Sequence, residues 1–361
     1  MPADLPPDES APKASASRGE RRGKRAARTT SRDVAARAGV SQPTVSLVLS
    51  RNPSARVAPA TRERVLRAAE ELGYKPNVVA RSLVRRRSYA LGVIVPDVGN
   101  QFFADVVGGA ERVATEAGYA VFLCEQRDVP LERHIEAMHA RQVDGVIIDA
   151  AGADALPAES LAGLNVVLVD EPGERWPGVA SDAEGAGRAA AEHLLALGHR
   201  RIAFIGPAAD VHGFRMRERG LVRALAAAGV SIPSPWLRRA PATLDGGNAA
   251  MRALLAAAER PTAVFCANDL LALGAFKACS QLGVRVPDAM SLVGCDDIAF
   301  ARLVTPELTT VAIPARELGA RAARLLLREL EGETAREPRR TRLLPVKLVV
   351  RGTTAPPGGA R

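Results

Sequence analysis

Nowhere in the 361 residues do eighteen or more apolar residues run together, and the opening "MPADLPPDES" lacks the apolar core of a secretory leader. Neither membrane insertion nor export is expected. The four cysteines, Cys124, Cys266, Cys279 and Cys295, form no CxxC pair, and a chain this long needs no disulfides. A reducing cytoplasm fits. The sequence also has no GxGxxG, no P-loop and no GxSxG, so neither a nucleotide cradle nor a nucleophile elbow is evident. His134 and His139 are five apart on an expected helix and share no face, which argues against a metal pair. His199 in "GHRR" reads as a helix-end residue, and Cys295 reads as a small buried side chain. No catalytic residue, metal or cofactor is expected, and the chain does not read as an enzyme.

Acidic residues are scarce in one region only. Between Arg18 and Arg87 there are 18 Lys/Arg against 5 Asp/Glu, a local net charge of +13 in a chain whose total is +9. Such concentration is the footprint of a polyanion partner, because each neutralised phosphate releases counterions. Residues 1–28, rich in Pro, Ala, Ser and Arg, bury too little apolar surface to order themselves and read as a basic tail. From Thr29 the pattern turns helical, with helices expected at about Ser31–Ala38, Gln42–Leu49 and, beyond a turn-rich stretch, Thr61–Leu72. Gly39 falls between the first two, where a helix-turn-helix needs a tight turn before its second helix enters the DNA major groove. Ser41 is a good N-cap, and Pro43 in the first turn removes no helical bond. Gln42, Pro43 and Leu47 then face the groove, while Val45 and Val48 join Val34, Ala35 and Ala38 in a small core. Gln42 suits adenine, and Thr44 and Ser46 suit phosphate oxygens.

Beyond Ser88, short β-branched runs ("ALGVIVP", "YAVFLC", "DGVIID", "NVVLVD", "RIAFIG", "TAVFCA", "SLVGCD", "LPVKLVV") alternate with Ala/Leu-rich amphipathic segments. Alternation of this kind implies doubly wound parallel sheets, and eight or more units over about 260 residues suggest two lobes. Ligands in such folds sit beyond the carboxyl ends of strands. The loops after "VIVP", "VLVD", "AFIG", "FCAN" and "VGCD" therefore matter most.

Six separated blocks now resemble, in order and spacing, those of the lactose/galactose-repressor family: "RDVAARAGVSQPTVSLVLS", "TRERVLRAAEELGYKPNVVARSLVRRRS", "GVIVPDVGNQFFADVVGGAE", "HLLALGHRRIAFIG", "CANDLLALGAF" and "SLVGCDDIAFARLVTPELTTV". The resemblance implies an α/β chain. An all-α helix-turn-helix headpiece (29–75) and a hinge helix (76–88) precede a two-lobed sensor built like periplasmic sugar-binding proteins. Its lobes would comprise 89–180 with 313–341 and 181–312 with 342–352, followed by a disordered tail from 353. It implies a homodimer on palindromic double-stranded operator DNA, repression rather than activation, and a small sugar-like effector between the lobes. It places Thr30, Ser41, Gln42, Pro43, Thr44, Ser46 and Leu47 on DNA, with Asn77 capping the hinge helix, Ala80 within it and Leu83 as a minor-groove wedge. Arg215, Asn268 and Asp296 match effector-contacting positions, and Asp170 and Phe102 join them. Two departures stand out: Leu47 where the family usually has arginine, and Ala180 where several relatives carry a bulkier residue. An exported sugar-binding protein would share the sensor but have no use for Asp33–Leu83, and a sugar enzyme would need a catalytic base.

Overall fold

The computed structural model describes residues 29–49, 57–74, 87–127, 129–149, 156–171, 175–332 and 341–358. Two compact units divide the chain near Arg81. The first holds three helices, α1 (Ser31–Ala38), α2 (Gln42–Leu49) and α3 (Pro59–Glu71). Thr30 caps α1 in a reciprocal box with Asp33, and Gly39 ends that helix at φ +64°, a left-handed conformation that side-chain-bearing residues adopt only at a cost. Val34, Ala35, Ala38, Val45, Val48, Val65, Ala68 and Ala69 form a separate small core. Thr29 Oγ1 donates to the Leu72 carbonyl at 3.1 Å, closing the unit at its ends. The tail 1–28 and the hinge residues Asn77, Ala80 and Leu83 lie outside the described residues.

The second unit contains two six-stranded sheets. The first, ordered β11-β5-β4-β3-β1-β2, comprises β1 (Ala90–Val95), β2 (Ala120–Glu125), β3 (Gly145–Ile148), β4 (Asn165–Val169), β5 (Gly178–Ser181) and β11 (Arg342–Leu344). The second, ordered β12-β10-β9-β8-β6-β7, comprises β6 (Ile202–Pro207), β7 (Leu237–Ala240), β8 (Ala263–Cys266), β9 (Ser291–Asp296), β10 (Thr309–Ala312) and β12 (Lys347–Val349). All pairings are parallel except β10 with β12. Every residue of β1 is buried, as a strand covered on both faces requires. Leu91, Val93 and Val95 join the main core, while Ala90 and Ile94 point to a second cluster around Leu131, Ile135 and Met138.

Helices α4 (Gln101–Glu116), α5 (Leu131–Ala140), α6 (Ala183–Ala196), α7 (His212–Ala227), α8 (Leu244–Leu255), α9 (Asp269–Gln281) and α10 (Ala315–Glu331) connect the strands. Three helix pairs meet almost backbone to backbone through glycines. A Cβ at Gly187 in α6 would stand 1.8 Å from the Arg217 carbonyl oxygen of α7, and one at Gly220 1.9 Å from that of Glu184. Gly109 with Gly319, and Gly247 with Gly274, do the same for α4/α10 and α8/α9.

The chain crosses between lobes three times, after β5, β10 and β11, and the Asp182 N–H donates to the Leu344 carbonyl where two crossings meet. This corrects one expected limit. Arg342–Leu344 pairs with β5, so residue 342 does not begin the second lobe's share; the switch comes at Pro345, which cannot donate to a ladder. The tail expected from 353 is also not free there. Thr353 is fully buried, its hydroxyl donating to the Leu292 carbonyl at 2.7 Å and accepting from Thr309 N at 2.8 Å. His199, expected at a helix end, is buried against Thr262, Ser291 and the Ala355 carbonyl, which fastens the same segment.

Candidate functional site

In the headpiece, Ser41 Oγ accepts from the Thr44 N–H at 3.4 Å and lies 2.9 Å from the Thr44 hydroxyl. Val45 and Val48 turn inward, which leaves Gln42, Pro43, Ser46 and Leu47 exposed on the opposite face. Gln42 Nε2 donates to Ser31 Oγ at 2.8 Å, so the start of α1 holds this amide in place. Thr30 sits on the same α1 terminus, its N–H and hydroxyl both donating to Asp33 Oδ2 at 2.8 Å. Leu47 is 44% exposed, an apolar side chain on an otherwise polar face.

In the sensor, the carboxyl ends of β1, β3, β4, β6, β8 and β9 open on one small cleft of about 50 Å³ between the lobes. Asn100, Phe102, Phe103, Asp149 and Asp170 line it from the first lobe, and Val211, Gly213, Phe214, Arg217, Asn268 and Asp296 from the second. Bonds also cross it: the Ala299 N–H donates to Gln101 Oε1 at 2.8 Å, and the His212 N–H to Glu171 Oε1 at 3.4 Å. Phe102, Asp170, Asn268 and Asp296, expected from the sequence, are all present. Asn268 both lines the cleft and caps α9, its Oδ1 accepting from the Leu271 N–H at 2.9 Å. The neighbouring Asp269 faces away and holds Thr310 Oγ1 and the Ile298 N–H.

Arg215 is a correction. It is half exposed, pairs with Asp210 outside the cleft, and contributes nothing to the lining. The cleft arginine is Arg217, three positions after Phe214 and so on the same helix face, its guanidinium 5.2 Å from the Phe214 ring centroid. Arg217 Nη1 donates to the Ala267 carbonyl at 2.5 Å and lies 3.2 Å from Asp296 Oδ1, an ion pair buried on both sides. Removing one member of such a pair costs about 3–5 kcal/mol.

The electrostatics are acidic. Burial pushes the Asp296 carboxyl up to about 8 against the pull of Arg217. Burial, then the nearby Asp170 and Glu171, holds Asp149 well above the usual carboxylate range. Asp170 is satisfied locally, its Oδ1 accepting from Ser181 N at 2.7 Å and Ser181 Oγ at 3.0 Å. Asp170 and Asp296 hold φ of +53° and +124°, conformations that L side chains rarely adopt and that cluster at binding sites. Two buried polar atoms have no hydrogen-bond partner here, Asp149 Oδ2 and Arg217 Nε, and Asp296 Oδ1 has only its ion pair with Arg217. A buried polar atom without a partner costs about 1–3 kcal/mol. Sequence reasoning missed Asn100, Phe103, Asp149, Phe214 and Arg217. Asp149 was reachable, since it ends "DGVIID" and so stands where strand-end ligand sites form. Among the described residues, no group of three or more His, Cys, Asp or Glu is placed to hold a metal ion. No helix among them is long and apolar enough to cross a membrane.

A helix-turn-helix unit ahead of a two-lobed sensor with a polar interlobe cleft defines a class, the ligand-responsive DNA-binding regulators. Residues 30–77 match the model for bacterial regulatory proteins of the lacI family, and residues 191–354 match the periplasmic binding protein-like domain. The chain is 34% identical over 336 residues to the HTH-type transcriptional repressor PurR of Mannheimia succiniciproducens, covering 89% of this chain and 97% of the relative. It superposes on the lac repressor dimer bound to operator and the anti-inducer ONPF with a TM-score of 0.81, at 30% identity over 91% of this chain and 99% of the other. It is also similar to the regulator CelR in complex with cellobiose, at 35% identity and a TM-score of 0.68 over 90% of this chain and 100% of the other. The chain belongs to the lacI family of bacterial regulatory proteins, a DNA-binding transcriptional repressor with a ligand-binding sensor domain rather than an enzyme.

Proposed function

We propose that this repressor binds a two-fold symmetric operator as a homodimer in the bacterial cytoplasm, and that a small sugar or sugar derivative in the interlobe cleft sets its operator affinity. The observation that carries the reading is that Asp149, Arg217 and Asp296 line one cleft with aromatic walls, Asp149 Oδ2 and Arg217 Nε being buried without a hydrogen-bond partner. Polar groups beside aromatic rings suit a ligand with hydroxyls on its edge and C–H groups on its face. The cellobiose complex of the similar regulator supports a carbohydrate. The effector contacts proposed are Phe102, Asp149, Asp170, Arg217, Asn268 and Asp296. A ligand shifts a two-state equilibrium only by its difference in affinity for the two states, and contacts made from both lobes supply that difference when the lobes move.

Thr30, Ser41, Gln42, Pro43, Thr44, Ser46 and Leu47 are proposed to meet the operator, with Asn77, Ala80 and Leu83 acting in the hinge segment 76–88. Dimerisation is supported by β2, an edge strand that exposes Phe122 and Leu123, because apolar edges are rare on monomers. Leu270–Leu282 is the proposed contact of the second lobe, with Leu282 exposed at its end.

Selection of binding sites from a random duplex pool tests the DNA reading. The expected product is a palindrome whose half-sites lie about one helical turn apart. Binding should weaken steeply with salt, by about 10³–10⁵ between 50 and 200 mM for a protein making six to ten phosphate contacts. Enrichment of no motif, or of one without two-fold symmetry, contradicts it.

A further inference from the structure

The cleft holds more carboxyl groups than its one cation can pair. Asp149, Asp170 and Asp296 line it, and among the described residues Arg217 is the only cation that does. Glu171 and Asp269 add negative charge nearby. Arg217 is committed to Asp296 and the Ala267 carbonyl, and Asp170 is held by Ser181. Asp149 is the carboxylate left over: it is 7% exposed, and its Oδ2 has no hydrogen-bond partner among the described residues.

We propose that Asp149 reads a protonated amino group on the effector, so that the ligand is an amino-substituted sugar rather than a neutral or anionic one. This rests on the sugar-like reading above and narrows it. Burial without a counter-charge disfavours the ionised form of Asp149, and a neutral hydroxyl offers it one hydrogen bond but no charge against which to ionise. An ammonium brings three donors and the missing positive charge, and charge-assisted bonds are about twice as strong as neutral ones. The aromatic walls agree. Phe102, Phe103 and Phe214 present π-systems to the cleft, and Phe214 already lies against the Arg217 guanidinium. A phosphate or carboxylate would meet three acidic side chains and one cation already committed to Asp296.

The test is calorimetric titration of the full chain with matched pairs at slightly acidic pH, where the amines are protonated. The pairs are glucosamine with glucose, galactosamine with galactose, and mannosamine with mannose, alongside glucuronate and glucose 6-phosphate. In at least one pair the amine should bind about tenfold or more tighter than its hydroxyl partner, and the anionic sugars should bind more weakly than glucose. In Asp149→Asn, an isosteric change, that preference should disappear. Equal or tighter binding of the hydroxyl members to wild type overturns the proposal without any variant, as does an amine preference that survives in Asp149→Asn. If neutral or anionic sugars bind at least as tightly as every amine and alter operator affinity, the sensor reading stands and only this inference fails. If no sugar of any kind binds or alters operator affinity, both fail.

Discussion

Arg215 and Arg217 share a helix and a charge, yet two positions separate an exposed side chain from one 4% exposed beside Asp296. Arg217→Ala should therefore lower sensor stability, through the lost bond to the Ala267 carbonyl, the lost pairing with Asp296 and the cavity left behind. It should also lower effector affinity by one or more orders of magnitude, each charge-assisted donor contributing about 1.5–3 kcal/mol. Arg215→Ala removes an exposed ion pair, generally worth about 0–1 kcal/mol, and should change neither. Denaturant unfolding and ligand titration of both variants check this, and equal effects would contradict the placement of Arg217. A second residue-scale effect is acid–base. The folded-state pKa of Asp296, about 8, stands above the ordinary 3.8, so its contribution to stability is fully present below about pH 4 and lost as pH rises through 8. Asp149 and Asp269, both raised, act in the same direction. Unliganded sensor stability should fall from pH 5 to pH 9, read by fluorescence of Trp176 and Trp236, and Asp296→Asn should flatten the slope. A slope unchanged by Asp296→Asn would contradict it. These differences were only partly legible in the sequence. Strand ends mark the loops that hold Phe102, Asp170, Asn268 and Asp296 and the family resemblance picks out the residues, whereas the choice between Arg215 and Arg217 depends on the rotation of one helix.

Among the elements, α6 and α7 show how packing reaches the site. The Cβ of Gly187→Ala would stand 1.8 Å from the backbone oxygen of Arg217, so α7 must move away and carry the cleft guanidinium with it. Overpacking of this kind costs about 1–3 kcal/mol. Gly187→Ala should lower the sensor's Tm and weaken effector binding together, leaving headpiece affinity for DNA unchanged; an unaltered Tm would show that the helices have room. The short helices were legible because their signals are local: Thr30 caps, Gly39 turns left-handed, and valines recur at helical spacing. Strands β5, β7, β10 and β11 were not legible. They span only three or four residues, β7 contains two arginines, and "LPVKLVV" read as one strand although Pro345 divides it between lobes. Pairing partners, not local pattern, make such segments strands.

At the scale of the whole molecule, the charge excess of one quarter of the chain and the strand–helix alternation of the rest already separate a DNA-binding part from a sensing part. What sequence pattern does not encode is the coupling, which depends on contacts made across the cleft from both lobes, such as those of Gln101 with Ala299 and Glu171 with His212. The most direct test of ligand-controlled operator binding is fluorescence anisotropy of the selected operator, titrated with wild type and Arg217→Ala in the presence and absence of the sugar panel. At least one sugar should change the wild-type operator Kd by about tenfold, a coupling of about 1.4 kcal/mol, and should leave Arg217→Ala unchanged. A wild-type affinity that no sugar alters, or an equal response in Arg217→Ala, would contradict the account.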